Sequence, residues 1–168
     1  MKRVLIVICT LALFVLAVGP SRASAQHLSG TVPLYQYWNP YIGDHFYTIN
    51  YDTLGSGADG YTLERAVGYV YDYQASGTVP LYRYYNYTDG DHFYTIDWNE
   101  LGYGAYGWYF EQVECYVFDY QASGTTPLFQ YWNGNGNVLD HFYTTDWNEL
   151  GFGAYGWNFE RTMCYVSP

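Results

Sequence analysis

The sequence predicts an all-β protein in which three similar units close on one another. Three observations support this prediction. The letters Asp-His-Phe-Tyr-Thr occur three times, starting at Asp44, Asp91 and Asp140, in units of roughly 47 residues. Each unit starts with Gly-Thr-x-Pro-Leu. Short aromatic and β-branched runs, separated by Gly, Asn, Asp and Pro, are typical of strands.

The chain begins with a segment typical of a secretory signal peptide. Met1-Lys2-Arg3 is a positive start, an apolar run follows over 4–19, and Ala23-Ser24-Ala25 is a small-residue cleavage pattern. The run is short for the about 20 residues that span a bilayer, so cleavage is favoured over a retained helix. We therefore expect a secreted mature chain, 26–168, that is periplasmic if the host is a bacterium and has no later membrane insertion.

The charge of the chain limits its partners. There are 16 acidic residues against 6 Lys and Arg, and Lys2, Arg3 and Arg22 leave with the leader. Lys and Arg carry non-specific nucleic-acid binding, so a mature chain without lysine predicts no nucleic-acid partner. Neutral or cationic partners remain. The alternative is that the charge only keeps an aromatic-rich secreted protein soluble.

Four strands are predicted in each unit, and the units are 30–76, 77–123 and 124–168. In the second unit the strands are 81–85, 91–96, 106–111 and 114–120. The loop between the first two strands is two residues longer in the third unit, where it covers 133–139, and a hairpin loop tolerates such a change.

A helical turn should follow the second strand of each unit. Asp97 to Gly102 and Asp146 to Gly151 have the order of a capping box that is stopped by glycine. Unit one has Asn50 and Thr53 there, so its turn should be weaker. Three four-stranded units predict a closed pseudo-threefold domain, with the β-trefoil favoured over a β-prism of three small sheets.

The letters "PLYRYYN", "GDHFYT", "LG" and "CYV" of unit two resemble a family of secreted repeats marked by PLYR-type and DHFYTT-type motifs, known as a domain of unknown function. The resemblance covers all three units. It implies a threefold β-trefoil-like body, found alone or attached to secreted enzymes, and it implies no activity. Gln36 and Gln130 stand where unit two has Arg83, so only unit two would keep an arginine that helps to hold a ligand.

Two cysteines remain after loss of Cys9 with the leader. Cys115 and Cys164 occupy the same position of units two and three, and unit one has Gly68 there. An even pair in an oxidising compartment predicts a disulfide, and the alternative is two buried thiols. Closing a loop of about 49 residues would stabilise the fold by ~4 kcal/mol.

Catalysis is disfavoured by the sequence. Asp44 and His45 are adjacent in a strand, so their side chains point to opposite faces and cannot form a dyad with each other. No GxSxG or HExxH pattern is present. A glycoside hydrolase using two of the carboxylates that end each unit's Gly-aromatic segment is a distant third function; these are Glu64, Glu111 and Glu160.

No metal and no cofactor is predicted. The Asn-Gly run from Asn133 to Asn137 offers the oxygen ligands that Ca²⁺ prefers, but such runs are first of all turn formers. A zinc site made of His45, His92 and His141 is disfavoured, because histidines in strands more often hydrogen-bond to the structure.

Glycan binding is the function that the repeat favours. Each predicted hairpin sets an aromatic ring and an Asn beside an Asp-His pair, which suits a sugar with apolar ring faces and hydroxyls. Three such sites would give avidity. The same rings could instead be core residues, and the second function class is a tyrosine-rich structural or adhesive matrix protein. The predicted site residues are Trp38, Asn39, Asp44, His45, Tyr85, Asn86, Asp91, His92, Trp132, Asn133, Asp140 and His141.

Overall fold

A computed structural model describes residues 27–134 and 139–168. The predicted signal peptide, 1–25, lies outside the described residues, as do residues 135–138 of the longer loop in unit three. No helix in these two ranges is long and apolar enough to cross a membrane.

Nine strands in the described chain form three antiparallel sheets, one in each unit. The first strand of each unit is the central one, so the strand orders are β2-β1-β3, β5-β4-β6 and β8-β7-β9. The described structure is about 51% strand and 8% helix, which confirms the all-β class. The strands are β1 Val32–Asn39, β2 Asp44–Thr48, β3 Thr62–Val70, β4 Val79–Asn86, β5 Asp91–Thr95, β6 Trp108–Val117, β7 Thr126–Asn133, β8 Asp140–Thr144 and β9 Asn158–Val166.

The prediction of four strands in each unit is wrong, because the last two form a single strand. In unit two, the expected strands 106–111 and 114–120 are replaced by β6, which pairs with β4 along its whole length. Two register shifts, at Leu81/Tyr82 and Arg83/Tyr84, let the strand bend without ending. The sequence pattern predicts a break between the two expected strands, and the single strand bulges there instead.

The predicted turns follow the second strands, and the one in unit one is the weaker. Helices α1 (Trp98–Leu101) and α2 (Trp147–Leu150) are capped by Asp97 and Asp146, whereas unit one has a three-residue 3₁₀ turn capped by Asn50. The capping box itself does not close. The carboxylate of Glu100 accepts a hydrogen bond from the Thr95 hydroxyl instead of bonding to the Asp97 backbone.

Three equivalent tyrosines form the centre of the core. Tyr47, Tyr94 and Tyr143 are each 1% exposed, and their ring centroids lie 5.3–5.5 Å apart in T-shaped pairs. The Tyr94 hydroxyl donates to the Tyr47 carbonyl (2.7 Å) and accepts from the Tyr47 N–H (2.8 Å). The other two hydroxyls make the same pair of bonds to their neighbours. Each hydroxyl therefore binds one unit to the backbone of another.

Bridges between strand ends also connect the units. Tyr71 pairs with Tyr116, Phe118 pairs with Tyr165, and Tyr69 pairs with Ser167. These bridges join unit one to two, two to three, and three to one. Each unit therefore contacts both others in the same way. Equivalent leucines are buried beside the three central tyrosines, at Leu34, Leu81 and Leu128.

Cys115 and Cys164 lie in this core as buried free thiols, so the structure does not contain the predicted disulfide. Burial raises the pKa of both thiols, which disfavours the thiolate that forms a disulfide. Gly68 has a different role from leaving room for a bridge. A Cβ there would lie 2.7 Å from Val166 Cγ2, so the glycine allows β9 to approach β3 closely.

Candidate functional site

The Asp and His of each repeated motif bond to partners in other units. Within one motif the two side chains do not bond to each other, as their adjacency in a strand predicts. Instead, each carboxylate accepts a hydrogen bond from the backbone N–H of a histidine in a neighbouring unit and forms a second hydrogen bond with ring Nδ1 of the same histidine. The Oδ2 to Nδ1 distances are 2.6 Å for Asp44 and His92, 2.7 Å for Asp91 and His141, and 2.6 Å for Asp140 and His45.

The three aspartates themselves lie together in the interior. They are 0–1% exposed, and one carboxylate oxygen of each lies within 4.8 Å of the others. Asp44 also accepts from the Tyr61 hydroxyl. Oxygen ligands in this arrangement suit a hard cation. In the described chain, however, every buried polar side-chain atom has a hydrogen-bond partner, so the histidine rings and backbone N–H groups already satisfy these carboxylates.

Burial sets the protonation of the Asp140–His45 pair. It raises the pKa of Asp140 to about 9, with the nearby charges of Asp91 and Asp44 adding to the rise. It lowers the pKa of His45 to about 4. At neutral pH the pair therefore keeps one proton between Oδ2 and Nδ1, whichever group carries it. The second ring nitrogen of His45, Nε2, then bears a hydrogen.

Aromatic rings from two units enclose each of these histidines. The ring centroid of His45 lies 4.4 Å from that of Trp38 in its own unit, and 4.9 and 5.9 Å from those of Phe142 and Trp157 in unit three. The surroundings of His141 are equivalent, with Trp132, Phe93 and Trp108 at 4.8, 4.9 and 5.7 Å. Tyr85 and Phe46 lie 4.5 and 4.8 Å from His92. The structure thus brings each predicted aromatic ring to its histidine and adds rings from a neighbouring unit.

The predicted asparagines have structural contacts. Asn39 accepts from the Tyr41 N–H (3.0 Å) and donates to the Asp59 carbonyl (3.2 Å). Asn86 accepts from the Thr88 N–H (3.0 Å) and donates to Asp89 (2.7 Å). Asn133 ends β7 opposite Asp140. Asn39 and Asn86 therefore hold their own hairpin turns, and the aspartates lie inside the fold. The histidines, which are 7–9% exposed, and their partly exposed aromatic neighbours remain as the predicted residues that a ligand could reach.

Two surface clefts lie at boundaries between units. The 1–3 cleft, between units one and three, has adjoining parts of about 290 and 250 Å³ that share His45, Phe142 and Glu149. The 2–3 cleft, between units two and three, has about 380 Å³ and is lined by Trp132, His141 and others. Because residues of two units line each cleft, each candidate site lies between two units.

A glutamate faces the outer nitrogen of each histidine. The distance from Nε2 to the nearest glutamate oxygen is 3.8 Å for His45 and Glu64, 3.7 Å for His92 and Glu111, and 3.9 Å for His141 and Glu160. The glutamate side chains are 30–39% exposed, whereas those of the histidines are 9–11% exposed. A small polar molecule in a cleft would meet a carboxylate and an imidazole nitrogen at the same point.

An arginine and a second glutamate also link the units beside these clefts. Arg65 makes two bonds, of 2.8 and 2.9 Å, to Glu149 of unit three. Arg161 bonds to Glu100 of unit two at 3.0 Å. Neither pair follows from the sequence pattern. The glutamates stand where a capping box was expected, and nothing in the local pattern shows that they reach another unit.

The boundary between units one and two uses a different set of residues. Unit one has Thr53 in place of the helix glutamate, and Glu114 of unit two supplies the carboxylate. It accepts from the Thr48 hydroxyl (2.9 Å) and the Ile49 N–H (2.8 Å), and it pairs with Arg83 (2.6 Å). Arg83 also pairs with Glu111 at 2.7 Å. The sequence marked Arg83 as a residue particular to unit two, and the structure places it in this substitute contact.

Comparison with known proteins gives a family. A family model described as Domain of unknown function (DUF5648) matches residues 33–167, which include every strand apart from the first residue of β1. The domain of unknown function expected from the motifs is therefore confirmed at that level. No curated protein and no solved structure matches the chain.

Proposed function

We propose that the protein is a secreted, non-catalytic carbohydrate-binding module. The chain belongs to the DUF5648 family, whose description as a domain of unknown function supplies no activity. The observation that carries the proposal is the composition of the clefts between units. Each combines aromatic rings with an imidazole nitrogen and a partly exposed glutamate, for example Trp157, His45 and Glu64 in the 1–3 cleft.

The chemistry of these groups suits a neutral sugar. Aromatic faces pack against the apolar face of a sugar ring, and carboxylates and imidazoles hydrogen-bond to hydroxyls in fixed directions. In the 1–3 cleft the Nε2 hydrogen of His45 is a donor and the Glu64 carboxylate is an acceptor. Cleft volumes of about 250–380 Å³ lie near the lower end of the about 300–1,000 Å³ of small-molecule sites. The acidic surface disfavours phosphorylated ligands.

Three finer proposals concern architecture, family and location. Contacts of every unit with both others support closure of the three sheets about one axis. Separate three-stranded sheets favour the prism-like arrangement over the β-trefoil. The paired PLYR and DHFYTT motifs support the narrower repeat family, and the leader supports secretion.

A glycan array with the mature protein, 26–168, tests the function. The matched variants are Glu64→Ala/Glu160→Ala and a control, Asp72→Ala/Asp119→Ala, which removes the same charge at exposed positions. A hydrogen bond to a charged group contributes about 1.5–3 kcal/mol, so the first variant should bind neutral glycans at least about tenfold more weakly. The control should bind as the wild type does. Circular dichroism checks that all three proteins are folded.

Two results would contradict the proposal. If the glutamate variant binds as tightly as the wild type, the clefts are not the binding site. If the wild type binds no neutral glycan, the structural or adhesive matrix function takes first place. That second candidate is favoured by several aromatic side chains on the surface that are 86–91% exposed, namely Tyr41, Tyr103, Tyr106, Phe152 and Tyr155.

A further inference from the structure

We propose that the protein has two carbohydrate sites rather than three. The 1–3 and 2–3 clefts bind sugar, the boundary between units one and two does not, and Tyr106 and Tyr155 belong to the two sites. This inference rests on the proposed carbohydrate-binding function and specifies its valence. Three differences between the boundaries support it.

The first difference lies in an exposed turn before the last strand of each unit. Tyr106 and Tyr155 have φ of +56° and +55° and are 90% and 91% exposed. A left-handed backbone is unfavourable for a bulky residue, and these side chains gain almost no burial in return. Tyr106 lines the 2–3 cleft beside Trp108. Unit one has Asp59 at this position, a residue type that tolerates the same conformation.

The second difference is the aromatic residue that follows this turn. Trp108 and Trp157 line the 2–3 and 1–3 clefts with their indole rings. The equivalent residue in unit one is Tyr61, whose hydroxyl donates to the buried carboxylate of Asp44. The polar group of Tyr61 is therefore already used inside the fold, and its ring is smaller than an indole.

The third difference is the position of the arginine. In the 1–3 cleft, Gln36 is the buried neighbour of Glu64, and Gln130 takes the same place beside Glu160. At the boundary between units one and two, Arg83 takes this place. Its guanidinium carbon lies 4.9 Å from the ring centre of Phe46, and its Nε bonds to Glu111 at 2.7 Å. A cation thus pairs with the very carboxylate that would accept a sugar hydroxyl.

The imidazoles provide one reporter for each boundary. In a protein labelled with ¹⁵N-histidine, the ring nitrogens of His45, His92 and His141 can be followed by long-range ¹H–¹⁵N NMR. His27 stacks on Tyr69, with ring centroids 4.3 Å apart, and it serves as the internal control. The probes are the methyl glycosides of glucose, galactose, mannose and N-acetylglucosamine.

We expect at least one probe to shift His45 and His141 and to leave His92 and His27 unchanged. A shift at His45, His92 and His141 together would overturn the two-site inference while the carbohydrate function stands. A shift at only one of the three would overturn it too. If no probe shifts any of them, and the array is also negative, the proposed function itself fails.

A substitution isolates the role of the turn tyrosine. Tyr106→Asp gives unit two the residue that unit one has, in a backbone conformation that Asp tolerates. The sugar affinity reported by the His141 shift should fall by about two- to tenfold, the range of an aromatic contact. The affinity reported by the His45 shift should be unchanged. Tyr103→Asp, which changes an 87% exposed residue on the outer face of the same unit, is the control. An unchanged His141 response in Tyr106→Asp would refute the assignment of Tyr106.

Discussion

Removing the hydroxyl of one of the three central tyrosines should measurably destabilise the whole domain. In Tyr47→Phe the ring is kept, but the N–H and the carbonyl of Tyr143 both lose their partner, at 2.8 and 3.1 Å. Tyr143 is buried, so water cannot replace the hydroxyl without opening the core. A buried polar group without a partner costs about 1–3 kcal/mol, and two such groups give a loss on the order of 3 kcal/mol.

Urea denaturation, followed by tryptophan fluorescence, measures this loss as a lower midpoint at an unchanged slope. Tyr103→Phe is the matched control, because Tyr103 is 87% exposed and no hydrogen bond of the core depends on it. Tyr94→Phe and Tyr143→Phe should cost similar amounts, since the three hydroxyls make equivalent bonds. If the free energy of unfolding falls by less than about 0.5 kcal/mol in all three variants, the tyrosine hydroxyls do not hold the units together.

Two further predictions concern titratable groups in the interior. The Asp140–His45 pair keeps a proton in the folded state up to its raised pKa of about 9, whereas the unfolded chain releases that proton near 6.5. The urea midpoint should therefore fall as pH rises from 6.5 to 9, and less steeply in Asp140→Asn. In the unreduced protein, Cys115 and Cys164 should react with a thiol reagent only after denaturation, as two thiols in each chain. A urea midpoint that stays constant from pH 6.5 to 9 would contradict the prediction for the Asp140–His45 pair. Detection of no thiol after denaturation would contradict the prediction for the cysteines.

The local part of the fold follows from the sequence pattern. The nearly equal spacing of the motifs predicts three similar β units, and the turn residues predict the hairpins. The register then sets Trp38 opposite His45 and Tyr85 opposite His92, as the hairpin prediction requires. These features depend on residues that are near one another in the chain, where periodicity and turn chemistry are informative.

The contacts between units do not follow from the pattern, because the motif copies are identical. A sequence with three Asp-His pairs does not indicate which aspartate bonds to which histidine, and the observed partners Asp44 and His92 are 48 residues apart. The same limit applies to Glu100 and Arg161. The candidate site is formed in part by such contacts, so the sequence identified its histidines and the aromatic rings of the same unit, but not the indoles of Trp108 and Trp157 that neighbouring units add.

The boundary between units one and two shows that the three boundaries share one requirement. Each needs a carboxylate to accept from the threonine of the repeated motif and an arginine to pair with that carboxylate. At two boundaries the carboxylate is a helix glutamate of one unit and the arginine belongs to the next. At the third, both come from unit two, as Glu114 and Arg83, because Thr53 cannot supply a carboxylate.

This exchange makes a prediction about stability. The Glu114 side chain is 1% exposed, whereas that of Glu149 is 32% exposed. Glu114→Gln leaves Arg83, whose side chain is 13% exposed, with one partner fewer and should cost about 3–5 kcal/mol. Glu149→Gln removes an exposed pair and should cost about 1 kcal/mol or less. Urea denaturation gives both values, and equal losses would contradict the reasoning. The combined variant Thr53→Glu/Arg83→Gln/Gln112→Arg/Glu114→Val rebuilds at this boundary the residues of the others. It should recover most of the stability that Glu114→Gln loses, because the carboxylate and its arginine return together in exposed positions.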